Sequence, residues 1–458
     1  MNQPGLKSNY NMVKNANKLL IMAFALLVML AARPAIAQET EKEAAETNDK
    51  SGGDDEVSTV LTINNKEGVF SSTASFSFEI KNTYNTNQQG TISYNITTDK
   101  GQIIKTLSKP VSLAKKSTSK YDFDVPALKT GFYKLNMMIN VSDYDDTTRR
   151  AFGIRPDEIR SQYARPADFD QFWQTAKDEL AKVKPNYKIT ELPSMNTENR
   201  KVYEIEMKSL DNLTIRGYMT VPISKNKDKK FSVLLGLPGY QVKLYPIVGL
   251  DPDLVIITLN TRGQGTSRDV IHTERDAFIS YHIEDKNKYV MRGVIMDCVR
   301  AVDFIYAQPN LRHDQILATG GSMGGYLSLA LAGLDHRVTI CSAQNPIMSD
   351  IRNLVGSAEW PINDIKKYVL SKPGVTFDQV LSNLDYYDTK NFATTIKCPT
   401  ILGLGLLDPY VPPNNGYAVF NSMHTDKHLM VFKNLAHEVS QVYKDYEGRW
   451  MRDTFGLF

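Results

Sequence analysis

The period of the hydrophobic pattern changes once along this chain, near residue 155. Before that point Phe76, Phe78 and Ile80 alternate with polar residues, as do Ile92, Tyr94 and Ile96, and then Tyr133, Leu135, Met137, Ile139 and Val141. Period two with turn residues between the runs predicts half-buried antiparallel strands. Residues 57–152 are therefore expected to form a small all-β unit of the sandwich kind. Its alternating aromatics are read as core rather than as a carbohydrate-binding face. After Arg155-Pro156 short continuous apolar runs alternate with helical periodicity. Val233–Leu237, Leu254–Leu259, Ile316–Ala318, Val338–Cys341 and Ile401–Leu407 read as strands buried on both faces. Between them Met291, Val294, Ile295, Cys298, Val302 and Ile305 recur at helical spacing, and a last helix is expected after Glu438. Strands alternating with helices predict an α/β unit over residues 153–458, with a mostly parallel sheet covered on both sides. Ligands in such sheets bind beyond the carboxyl ends of the strands.

The amino terminus belongs to neither unit. A basic stretch, an apolar run from Leu19 to Leu30 and the small residues ending Ala35-Ile36-Ala37 read as an export signal cleaved before Gln38. The run is shorter than the roughly 20 apolar residues a membrane span needs, so no stable membrane insertion is expected after cleavage, and the product is secreted or periplasmic. Residues 38–56 (QETEKEAAETNDKSGGDDE) are acidic and polar with almost nothing to bury, as in a disordered tether. The whole chain carries 54 Lys+Arg against 51 Asp+Glu, a formal charge of +3. Four of those cations, Lys7, Lys14, Lys18 and Arg33, lie in the leader, and without them 50 stand against 51. A charge of −1 provides no electrostatic footprint for nucleic acid. Cys298, Cys341 and Cys398 are odd in number and lack C-x-x-C spacing, so they read as buried thiols rather than a disulfide framework or a zinc site.

Candidate chemistry begins where the strand Gln315–Thr319 runs into Gly320-Gly321-Ser322-Met323-Gly324-Gly325 and then an Ala/Leu-rich helix. This is G-x-S-x-G between strand and helix, where glycines permit the strained backbone that lifts a serine hydroxyl out of a sheet. A serine hydroxyl needs a base to take its proton and an acid to orient that base, in the chain order Ser, Asp, His. His437 stands just past the apolar run Leu429–Phe432 in a short loop, whereas His336, His424 and His428 each precede an apolar run and belong at the opposite end. Asp408 directly follows Ile401–Leu407, a position that Asp385, Asp388 and Asp426 lack. Ser322, His437 and Asp408 are thus the candidate nucleophile, base and orienting acid. The tetrahedral oxyanion also needs donors. The Met323 backbone N–H is one candidate, and the Tyr240 N–H, in the loop closing Leu237-Pro238-Gly239-Tyr240, is the other. Asn260-Thr261-Arg262-Gly263-Gln264-Gly265 ends another strand at the same edge, and Arg262 and Gln264 there are either a structural hydrogen-bond hub or substrate contacts.

The order Gly239-Tyr240, Arg262-Gly263-Gln264, Gly320-Gly321-Ser322-x-Gly324, Gly405-Leu406-x-Asp408 with Pro412-Pro413, and His437-Glu438 resembles the acetyl xylan esterase and cephalosporin C deacetylase family (carbohydrate esterase family seven). The likeness spans roughly residues 163–458 and includes Pro166-x-Asp168-Phe169-Asp170-x-Phe172-Trp173 and Tyr387-Asp388-x-x-Asn391-Phe392-Ala393. It implies an α/β-hydrolase fold, a Ser322–His437–Asp408 triad, an oxyanion hole from Tyr240 and Met323, and deacetylation of short acylated sugars. Met323 stands where the family usually has Gln, and Pro238-Gly239 where it usually has His-Gly. Met323 leaves the backbone donor intact but changes the pocket wall, and neither departure removes a catalytic group.

The expected function is an exported serine carboxylesterase acting on acylated carbohydrate without metal or other cofactor. A zinc peptidase is poorly served, because His437-Glu438-Val439-Ser440-Gln441 lacks the second histidine of H-E-x-x-H. A serine peptidase on the same fold and a non-catalytic surface sugar-binding protein are the competing readings, and a homo-oligomer stays open. The β unit holds its own alternating core and none of the candidate groups, so the sequence predicts a separable module.

Overall fold

The computed structural model describes residues 56–125, 128–249 and 251–457. The expected leader over 1–37 and the acidic tether as far as residue 55 lie outside the described residues.

Eight strands build the first unit: β1 (Val57–Ile63), β2 (Val69–Phe70), β3 (Ala74–Asn82), β4 (Gln88–Thr98), β5 (Ile103–Leu113), β6 (Ser117–Val125), β7 (Gly131–Val141) and β8 (Tyr144–Ile154). They form one sheet ordered β1-β3-β6 and another ordered β2-β8-β7-β4-β5. Alternate side chains of β3 and β7 turn inward into one cluster, where Phe76 meets Phe152 edge-on at 5.1 Å and Tyr94 stacks on Phe123 at 5.1 Å. The period-two runs are thus the inner faces of a two-sheet sandwich. Strand β5, mostly exposed, has no such alternation and shows why its pattern was silent.

The second unit is a nine-stranded sheet of β9 (Lys188–Glu191), β10 (Arg200–Lys208), β11 (Thr214–Pro222), β12 (Phe231–Gly236), β13 (Leu254–Asn260), β14 (Leu311–Gly321), β15 (Ile340–Gln344), β16 (Thr400–Gly405) and β17 (Lys427–Phe432). Its order is β17-β16-β15-β14-β12-β13-β11-β10-β9. The pairs from β13 to β17 are parallel, and β9, β10 and β11 add antiparallel strands at one edge. This is an α/β-hydrolase architecture preceded by a small β domain. All seven residues of β13 are buried, as a strand covered by helices on both faces requires. The helix Val290–Tyr306 packs one face of that sheet and buries Met291, Val294, Ile295, Cys298, Val302 and Ile305. Parallel pairing brings Gly236 beside Thr319, Gly321 beside Gln344 and Gly405 beside Phe432. The segments following β12, β14, β16 and β17 therefore leave the sheet at a common edge.

The two units are in direct contact. Phe132 and Ala151, on β7 and β8, belong to the hydrolase core rather than to the sandwich core. The Phe132 ring lies 5.0 Å from that of Tyr417, on the helix Pro413–Ser422.

Candidate active site

Ser322 sits at the turn between β14 and the helix Met323–Leu334, with φ 58° and ψ −118°. A non-glycine residue in that region is strained by about 1–3 kcal/mol, and backbone hydrogen bonds hold it there. Its N–H donates to Gln344 O at 2.8 Å, and its carbonyl accepts from Tyr326 N at 3.0 Å. The neighbouring glycines are needed for close approach. A methyl on Gly320 would stand 2.8 Å from Leu237 O, and one on Gly324 would collide with the same carbonyl. The Leu237-Pro238-Gly239 segment thus crosses directly over the elbow and carries Tyr240 to its rim.

The structure brings the three candidate catalytic side chains together. His437 Nε2 lies 2.8 Å from Ser322 Oγ, and His437 Nδ1 lies 2.7 Å from Asp408 Oδ2. The other oxygen, Asp408 Oδ1, accepts from Tyr410 N at 2.8 Å and Val411 N at 2.9 Å. The Asp408 carboxylate is fully shielded from solvent, so these donors and the imidazole take the place of water. The histidine loop reaches the acid because Gly405 has no side chain, since a methyl there would strike the Ala436 carbonyl. Leu407 N donates to Leu435 O at 3.0 Å and joins the two loops. His336, His424 and His428 stand elsewhere; His428 pairs with Ile401 near the start of β16.

Gln264 and Arg262 separate into two roles. Gln264 Nε2 donates to Thr261 Oγ1 at 2.8 Å, while its Oε1 accepts the Gln241 N–H at 2.6 Å. Gln264 thereby holds the residue after Tyr240, whose φ is 55° at Gln241. Asn260 grips the same loop through both Leu244 N and Leu244 O. Arg262 is 3% exposed, and its guanidinium is engaged by Asp297, Asp211 and the Leu210 carbonyl. Burial pulls that guanidinium down, but Asp297 and then Asp211 more than offset it, so its pKa lies above the ordinary arginine value. This geometry is that of a structural hub; substrate contact is not available to a guanidinium enclosed in this way.

Two site neighbours, Trp360 and Tyr410, were not anticipated. The rings of Phe278, Tyr240, Trp360, Tyr410 and His437 follow one another at 6.0, 5.1, 5.9 and 4.9 Å, and Tyr410 meets the imidazole at 90°. Tyr410 could have been suspected from its place two residues after Asp408. Trp360 lies between β15 and β16 in a segment whose sequence has no such marker. Among the described residues no group of three His, Cys, Asp or Glu side chains could hold a metal ion.

A family model of acetyl xylan esterases matches residues 156–454. The chain belongs to the acetyl xylan esterase family. A curated relative, acetyl esterase Axe7A of Xylanibacter ruminicola, is 28% identical over 298 residues, covering 61% of this chain and 65% of that protein. The chain thus matches less than two thirds of that relative. An acylamino-acid-releasing enzyme of Arabidopsis thaliana is 24% identical over 162 residues, 33% of this chain and 21% of that protein. Among solved structures, the acetyl xylan esterase from Paenibacillus sp. R4 superposes with a TM-score of 0.60 at 24% identity, covering 65% of this chain and 98% of that one. Acetyl xylan esterase 1 from Thermoanaerobacterium sp. JW/SL YS485 does so with a TM-score of 0.57 at 23% identity, covering 65% and 97%. These two show the shared fold. The family match begins at residue 156, so the β sandwich lies outside it.

Proposed function

We propose that the protein is a serine carboxylesterase that removes acetyl groups from acetylated oligo- or polysaccharides through an acyl-enzyme. The observation that carries this reading is the unbroken relay Ser322 Oγ–His437–Asp408 on a strained elbow. In that relay neutral His437 donates from Nδ1 to Asp408 and accepts the Ser322 proton at Nε2. Ser322 Oγ then attacks the acetyl carbonyl carbon, and the new oxyanion is met by the N–H groups of Met323 and Tyr240. One such donor is worth about 10²–10³ in kcat. Collapse breaks the acetyl–oxygen bond, and the His437 proton passes to the departing sugar hydroxyl. A water molecule, deprotonated by His437, next attacks the acetyl-Ser322 carbonyl, and acetate leaves as the serine regains its proton.

Family membership and the resemblance to Axe7A support acetylated carbohydrate as the substrate class. The test is acetate release by the mature protein from a panel of acetylated glycans, with Ser322→Ala in parallel. Release by the parent alone supports the reading, and no release from any acetylated glycan by a folded parent overturns the substrate assignment. The weaker likeness to an acylamino-acid-releasing enzyme keeps acyl-peptide hydrolysis as the second reading. Faster turnover of acyl-peptides than of acetyl esters would favour it. Export rests on the leader ending at Ala37; a mature amino terminus at Gln38 would support it.

A further inference from the structure

The β sandwich touches the hydrolase at the segments that carry Asp408 and His437. Asn414, the second residue of the helix Pro413–Ser422, accepts the Phe132 N–H of β7 through Oδ1 at 2.8 Å. Its Nδ2 donates to Asp99 Oδ2, in the turn between β4 and β5, at 3.0 Å. One amide therefore bonds two separate parts of the sandwich. At the other side of the contact Gly68, in the turn before β2, packs so closely that an added methyl would stand 3.2 Å from Leu406 Cδ1 and 3.4 Å from Lys433 Cβ. Leu406 lies two residues before Asp408, and Lys433 lies four before His437.

These contacts bear on catalysis through the short turn Asp408–Pro412. Asp408 Oδ1 is fixed by the Tyr410 and Val411 N–H groups, so the carboxylate follows that turn. The turn runs directly into the helix that Asn414 ties to the sandwich. The same helix is held from the hydrolase side by Asn415, which donates to Ser349 O and Asp350 O. We propose that the β sandwich is a brace for the acid–histidine half of the triad, and that Asn414 is the positioning residue that transmits it. The proposal rests on the triad reading. A side chain far from the chemistry can cost up to about 10²-fold in rate through a misplacement near 1 Å, so a brace of this kind is measurable on a substrate too small to touch the sandwich.

The test uses the full mature chain and a small soluble acetate ester, assayed well below the Tm of each variant. Asn414→Ala is expected to lower kcat by about 5- to 100-fold with KM little changed. Asp99→Ala, in a partly exposed turn, should lower kcat in the same direction and keeps the test valid if Asn414→Ala does not fold. Asp99→Asn keeps an oxygen for Asn414 Nδ2 and should restore kcat. Placed on top of Asp408→Asn, Asn414→Ala should add little, because the group it positions is already disabled. A purely structural contact would instead leave kcat within about twofold of the parent, or multiply the Asp408→Asn loss in full; either result overturns the proposal. Ser322→Ala, run alongside, separates the two failures. Retained activity there sinks the triad itself, whereas a dead Ser322→Ala beside a fully active Asn414→Ala sinks only the brace.

Discussion

Gln264 Oε1 accepts the N–H of Gln241 at 2.6 Å and so ties the end of β13 to the loop that carries Tyr240 over the nucleophile elbow. Gln264 is buried, and removing its amide leaves the Gln241 N–H without this acceptor. Gln264→Leu should therefore loosen the loop that carries the proposed oxyanion donor Tyr240 while leaving the serine, histidine and acid in place. We expect kcat on a small acetate ester to fall on the order of 10- to 100-fold, with a smaller change in KM. An unchanged kcat in the folded variant would show that the loop keeps its position without this amide.

The triad itself predicts an unequal pair of losses. Ser322→Ala should reduce kcat by on the order of 10⁶, because the proposed mechanism carries the acyl group on Ser322. Asp408→Asn keeps the shape but puts an amide against His437 Nδ1, and should cost about 10⁴ in kcat through the wrong tautomer. Both are measured as initial rates, with circular dichroism to verify folding. Near-equal, mild losses would refute the assigned roles.

Arg262 predicts a stability effect in place of a substrate effect. Its partner Asp297 is fully buried, and removing the guanidinium takes away the cation that faces that carboxylate, leaving it the Arg262 backbone N–H. Breaking a buried pair from one side typically costs about 3–5 kcal/mol, so Arg262→Met should show a sharply lower urea midpoint. Arg262→Lys, which cannot make the fork of bonds to Asp297 and Leu210, should recover only part of it. Where either variant is folded, KM for small esters should match the parent. A raised KM with normal stability would return Arg262 to substrate binding.

The three cysteines should be silent in the native state. Burial pushes the Cys298 and Cys341 thiols well up and the Cys398 thiol to about 11. Thiolate is the reactive form, so a thiol reagent at mildly alkaline pH should modify none of them in the folded protein and all three in urea. Fast native labelling of any one would contradict this burial.

A pH effect on stability is expected from Glu447, whose carboxyl accepts from Thr319 Oγ1 at 2.5 Å, three residues before Ser322. Burial raises its pKa above the ordinary 4.5, with the hydrogen bonds from Ser342 and Thr319 only partly opposing it. The native state then holds this proton to higher pH than the unfolded chain does. Its contribution is fully present below about pH 4.5 and is lost as pH rises through the folded value. Glu447→Gln should accordingly gain Tm over the parent as pH is raised from about 4.5 towards neutrality. The advantage should vanish at the acid end, and a difference independent of pH would disprove the shift.

How much of this was legible in the sequence depends on the range of each signal. Phe76, Phe78 and Ile80 alternate because one strand has two faces, and β13 is continuously apolar because both its faces are covered. Those are local consequences of burial, so strand type could be read directly. Ser322, Asp408 and His437 were legible for the same reason, since each directly follows or closely trails an apolar strand and parallel strands end at a common edge. The antiparallel strands β9 and β10 escaped notice, because their burial is partial and carries no sustained period. The chain itself thus determined the strongly patterned elements, their order and the residue types at the ends of the parallel strands. Only the tertiary structure decided that Gln264 grips Gln241, that Trp360 and Tyr410 complete an aromatic row to His437, and that Asn414 joins the acid turn to Phe132 and Asp99. Asn414 and Phe132 lie 282 positions apart, and no periodicity along a chain encodes which distant surfaces meet. That choice is made by packing and hydrogen-bond satisfaction once the sheets have formed.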